Sequence, residues 1–124
     1  MSLKRWNEAL KLFQKSLLDS PNHIDLLEKY AWMLAACPDP RIRNGEKALD
    51  LAKRIALIRK TTPVQDIQCG ITLAAAYAEV KDFDSAERVI MNVIGRANEI
   101  RLKNYIPQME VMLKLFKSKE AYRF

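Results

Sequence analysis

The chain has 124 residues, 49% of them hydrophobic, which is enough for one domain with a modest core. Its 21 Lys+Arg against 15 Asp+Glu give a net charge of +6, a bias toward acidic partners too small to name one. With 3 Gly and 5 Pro among many Ala, Leu, Lys and Glu, and no apolar run near the roughly 18 residues of a membrane span, the composition excludes a membrane-spanning chain and predicts an all-α protein.

In chain order, the first predicted helix carries Ala9, Leu12, Phe13, Ser16 and Leu17 on one face, and Pro21 closes it. A second helix from about His23, capped by Asn22, repeats the pattern in Leu27, Tyr30, Ala31 and Leu34. Pro38 and Pro40 then stop that helix, and Asn44 caps a third helix, predicted through Arg59, with Ala48, Leu51, Ala52, Ile55 and Ala56 on its face. Thr62-Pro63 opens a fourth helix ending near Val80, with Gly70, Leu73, Ala74 and Tyr77 in register. Asp82 caps a fifth (Ala86, Val89, Ile90, Val93, Ile94), and Asn104 is predicted to cap a sixth running to about Lys117, with Pro107 in its first turn.

The first, third and fifth faces each begin with Ala, and Ala9, Ala48 and Ala86 lie 39 and 38 residues apart, a period at which paired helices repeat. From Leu34 to Ala48 is 14 residues, whereas Tyr77 to Ala86 is 9, so CPDPRIRNG (37–45) is a turn between paired helices enlarged by five residues. Ile42 is expected to pin this loop while Arg41 and Arg43 stand at its rim, either in solvent or on a carboxylate or other anion.

These segments resemble the tetratricopeptide repeat: ALKLFQKSLLDSP (9–21) is similar to the second helix of the pair, and LAAAYAEVKDFDSAERVI (73–90) to the junction between helices. Lys81 replaces the usual Gly and Gly70 a residue that is commonly large, often Trp. A narrower likeness links residues 30–124 to bacterial tetratricopeptide proteins with an LA-CPDPR-R-G--A--LA stretch and a Lys-Pro-Tyr-Arg ending, read here as Lys119-Glu120-Ala121-Tyr122-Arg123. The resemblance implies a right-handed α-solenoid of about six helices: a half repeat at 1–21, repeats at 22–60 and 62–100, and a capping helix at 104–118 that bears Tyr105, Met109, Met112, Leu113 and Phe116 on one side.

It also implies a concave groove lined by the first helix of each pair, at Asp25, Glu28, Lys29, Trp32 and Ala36 and then Gln68, Ile71, Thr72, Ala75 and Glu79. The expected role is a non-catalytic scaffold that holds a peptide or protein segment. Trp32, two residues from both Tyr30 and Leu34, either points into the groove as an anchor or packs on the neighbouring repeat. Trp6 lacks a preceding partner helix, so its face with Leu10 and Leu17 is left partly bare at a fragment boundary, used in self-association, or buried on the second unit.

Chemistry has little footing. The single histidine, His23, has no ligand partner at metal spacing, three scattered glycines make no phosphate loop, and Asp82 and Asp84 read as first-turn residues, so neither enzyme activity nor a metal or cofactor is expected. Cys37 and Cys69 read as free thiols of a reducing compartment, cytoplasmic rather than secreted. The alternative function is a basic helical module for nucleic acid or another polyanion, drawing on Lys53, Arg54, Arg59, Lys60 and the basic residues from 96 onward. Those residues lack interleaved aromatics, and the first group falls on a convex-side helix, so a solvated face accounts for them better.

Overall fold

The computed structural model describes residues 2–58, 60 and 62–124. It contains α1 (Leu3–Asp19), α2 (Ile24–Ala36), α3 (Gly45–Ala56), α4 (Pro63–Glu79), α5 (Phe83–Glu99), a 3₁₀ turn (Lys103–Tyr105) and α6 (Ile106–Lys117), with no strand among the described residues. Among the described residues the fold is all-α with six α-helices, as expected. Of these elements α1 touches only α2. Helix α2 also touches α3 and α4, α4 touches α3, α5 and α6, and α5 touches α6.

Caps explain most boundaries. The side chains of Asn44, Thr62 and Asp82 accept the backbone N–H of Lys47, Gln65 and Ser85 at 3.1, 3.1 and 3.2 Å, each satisfying a donor that has no partner inside its helix. Two expected caps are corrected. Asn22 is not the cap of α2, because Arg54 Nη2 donates to its Oδ1 at 3.1 Å; His23 Nδ1 takes over and accepts from Leu26 N–H at 3.4 Å. Asn104 caps nothing, since it lies inside the 3₁₀ turn that leads straight into α6. Helix α3 ends at Ala56, earlier than expected, because the Lys60 ammonium folds back to donate to the carbonyls of Ile55 and Ile58 at 2.6 and 2.9 Å. Arg59, the predicted end, lies outside the described residues.

Helices α4, α5 and α6 end in the same way. The residue after each C-cap, Lys81, Arg101 and Lys119, has φ of 67°, 61° and 59°, in the left-handed region. The following N–H groups of Asp82, Leu102 and Glu120 bond back to Tyr77, Ala97 and Leu115 carbonyls at 2.9 Å each, forming three Schellman motifs without glycine. Lys81 thus adopts the geometry that glycine would supply at lower conformational cost.

Ala48 and Ala86 are fully buried in one core cluster that runs from Tyr30 to Phe116. Ala9 is half-buried against a separate cluster of Met33, Cys37 and Ile42. Two members of the predicted faces turn outward: Leu12 is 63% exposed, and Ala56 is exposed at the last turn of α3. Leu12 differs from its counterparts Leu51 and Val89, both half-buried, because α1 packs on one helix and theirs on more.

Candidate binding groove

Helices α2 and α4 lie side by side, and polar contacts climb both in rising order. Gln65 Nε2 donates to Asp25 Oδ1 at 3.1 Å, and Thr72 Oγ1 donates to Glu28 Oε1 at 2.8 Å. The two helices therefore run in the same direction along the surface they share. Between Gln65 and Thr72 along α4, Gln68 Nε2 donates to the Tyr105 hydroxyl at 3.1 Å and ties the groove to the 3₁₀ turn before α6. Glu28, Trp32, Gln68, Ile71, Thr72, Tyr105 and Gln108 surround an open hollow of about 160 Å³.

The other half of this surface is covered. Residues 120–124 leave α6 through its Schellman turn and cross the end of α2. Tyr122 and Phe124 place their rings 5.6 and 6.0 Å from Trp32, and Phe124 also meets Trp6 edge-on at 5.5 Å. The Phe124 N–H donates to the Ala36 carbonyl at 3.1 Å, one of the last carbonyls of α2 and thus without a partner in the helix. Arg123 Nη2 lies 3.1 and 2.9 Å from the two oxygens of Glu79, which Arg43 Nε approaches to 3.2 Å from the other side. A carboxylate at the negative end of α4 needs such cations, and Glu79 has two.

Of the expected groove residues, Glu28, Trp32, Gln68, Ile71 and Thr72 are brought together around the hollow, while Trp32, Ala36 and Glu79 meet residues 120–124. Asp25 and Lys29 are exposed at one end. The side chains of Ala36 and Ala75 are sealed in the interior, so of the two only the Ala36 carbonyl is presented to a ligand. Trp32 borders the hollow and lies beneath the chain's own segment, an arrangement neither sequence reading contained.

Trp6, Leu10 and Leu17 are half-buried, in keeping with the burial alternative, because they pack onto the clusters around Met33, Tyr30 and Leu27, and Phe124 covers Trp6. Both loop arginines meet a carboxylate, one of the two settings expected for them: Arg43 pairs with Glu79 and donates to the Cys37 and Pro38 carbonyls at 2.7 and 3.2 Å, while exposed Arg41 clasps Asp39. Ile42 is buried and does hold the loop down. Lys53 and Arg54 on α3 are exposed, in keeping with a solvated face, with Arg54 on the Pro21 carbonyl and Lys53 5.7 Å over the Tyr77 ring, while Lys60 beyond α3 donates to the helix-end carbonyls.

Burial pushes the Glu28 carboxyl above its ordinary value of 4.5, partly offset by the Thr72 hydroxyl. The folded state then binds the proton more readily than the unfolded chain, so ionised Glu28 costs stability above its raised value, and the cost disappears below pH 4.5. Glu28→Gln, which retains an oxygen for Thr72, should melt higher than the wild type at pH 7 and lose that advantage below pH 4.5; equal melting temperatures at both pH values would refute this. Burial also lifts the Cys69 thiol to about 11, so it stays protonated and poorly nucleophilic at neutral pH.

Among the described residues no cluster of three or more His, Cys, Asp or Glu could hold a metal, and no helix is long and apolar enough to cross a membrane. The chain matches no known family model, no curated protein and no solved structure.

Proposed function

We propose that the chain is a non-catalytic interaction module, an α-solenoid of tetratricopeptide-like helix pairs whose concave surface between α2 and α4 holds a peptide or protein segment. One observation carries this reading: an extended segment, residues 120–124, already lies on that surface through a backbone hydrogen bond, an ion pair and stacked rings. Those are the contacts by which an extended peptide is held on a preformed site. The charges agree with it. Although the chain carries +6, the groove itself offers Asp25, Glu28 and Glu79 against Lys29 and Arg43, a slight acidic excess that suits a cationic segment better than a polyanion. The alternative of a basic module has less behind it, since Arg54 and Lys60 are occupied by backbone carbonyls and Arg96 by Asp66.

Selection of a randomised peptide library on phage against the wild-type chain tests the reading without assuming a partner. Trp32→Ala should weaken selected peptides by about 30-fold, the loss typical of a central aromatic anchor, and Gln68→Ala should weaken those that use the open hollow. Melting temperatures of both variants verify folding. Peptides that bind folded Trp32→Ala and Gln68→Ala as well as wild type would remove the groove from consideration.

A further inference from the structure

Residues 120–124 do more than close the fold. They read Glu-Ala-Tyr-Arg-Phe, an arginine between two aromatic side chains. Those three side chains meet two parts of the groove and its border: Tyr122 and Phe124 both lie against Trp32, Phe124 also meets Trp6, and Arg123 meets the Glu79 carboxylate. Building on the interaction-module reading, we propose that this segment is an intramolecular strap. It occupies the site of a partner segment with the same chemistry, an arginine flanked by aromatic residues, and it must lift before that partner is seated.

The contacts make the strap removable. Its departure would expose a buried carboxylate if Arg123 were the sole counter-ion of Glu79, and stranding a charge in that way is strongly destabilising. Glu79 has Arg43 as well, fixed by the Cys37 and Pro38 carbonyls, so the carboxylate remains paired when Arg123 leaves. Arg123 keeps 35% of its side chain exposed and Phe124 is 40% exposed, so both are partly hydrated before release. The backbone tie is a single hydrogen bond to a helix-end carbonyl that water can satisfy. The left-handed turn at Lys119 supplies the place where the strap pivots against α6, outside any helix.

Competition follows from tethering. A segment attached to its own site acts at an effective concentration on the order of millimolar, so an untethered copy of the same five residues faces a strong rival. A partner gains the advantage by being longer. Trp32 borders both the strap and the open hollow of Glu28, Gln68, Thr72, Tyr105 and Gln108, so a partner can dock in the free half and extend past Trp32 to displace the strap.

The test uses the full chain in three forms: wild type, Tyr122→Ala/Arg123→Ala/Phe124→Ala, and Arg123→Glu, which turns the ion pair with Glu79 repulsive without removing the rings. Each is titrated with the synthetic peptide Glu-Ala-Tyr-Arg-Phe, read by tryptophan fluorescence, after a thermal melt. The peptide should bind both variants at least about tenfold tighter than the wild type, and its Arg→Ala analogue should bind every form at least about tenfold more weakly. Equal affinity for all three forms, no binding to a folded variant, or indifference to the arginine each overturns the strap. The phage selection, repeated on the triple variant, separates this from the underlying reading. Trp32-dependent peptides that lack the aromatic-Arg-aromatic pattern and bind wild type and variant equally would leave the module standing and the strap refuted, while no selected peptide on either form would refute both.

Discussion

Phe116→Ala is expected to lower the free energy of unfolding by about 3–5 kcal/mol, the range for deleting a fully buried aromatic ring. Phe116 has no exposed surface, and with Met109 and Met112 it forms the side of α6 that seals the core cluster at the end of the bundle. The loss combines burial of the ring with the void it leaves, since close-packed neighbours collapse only in part. Against a total stability of roughly 5–15 kcal/mol, a change of this size removes a large share. It also reaches the groove. Phe116 supplies the carbonyl that accepts the Lys119 N–H at 3.0 Å in the Schellman turn from which residues 120–124 depart. Loosening α6 therefore loosens the strap, and tryptophan emission from Trp32 and Trp6 should shift to the red at a lower urea concentration than in the wild type. Urea titrations followed by circular dichroism and fluorescence give both quantities. A cost below about 1 kcal/mol would mean that α6 is not the seal described here.

How far the residues announce this arrangement depends on whether the physics is local. Helix existence, the enlarged turn at 37–45 and the caps at Asn44, Thr62 and Asp82 were legible, because apolar period, proline and short polar side chains act within a few residues of themselves. That Trp32 borders a groove also follows, as one of two readings, from helical geometry alone. What covers it does not. Tyr122 and Phe124 lie some 90 residues away in the chain, and no periodicity links them to Trp32 and Trp6; the sole signal was an aromatic-Arg-aromatic run after an amphipathic helix. The lost cap at Asn22 has the same cause, a distant Arg54 that claims its oxygen. Arg43 likewise looked like one more loop arginine until folding brought Glu79 to it.

Gly70 yields the second large expected effect, and it concerns the spacing of α4 and α5. A Cβ built at Gly70 would stand 2.5 Å from Val93 Cγ2, and Val93 is fully buried. Valine is branched at Cβ and has few alternative rotamers, so the clash is relieved only by moving a helix. Gly70→Ala should therefore cost about 1–3 kcal/mol of overpacking, outweighing the ~1 kcal/mol that alanine gains over glycine inside a helix. Val93→Ala alone should cost about 2 kcal/mol, from lost burial and the cavity left behind. Combined, the two changes should be less damaging than their sum by at least about 1 kcal/mol, because the new methyl takes the volume that the valine vacates. Strict additivity in urea denaturation would show that the close approach does not explain the glycine. The same contact leaves no room for a large side chain: Gly70→Trp should prevent native folding altogether, since an indole cannot fit between the helices. It also bears on the groove, because α4 carries Gln68, Ile71, Thr72 and Glu79. An α4 pushed off α5 by Gly70→Ala should lengthen or shorten the 2.8 Å bond between Thr72 and Glu28, so the variant should bind selected peptides more weakly even at temperatures where it is fully folded.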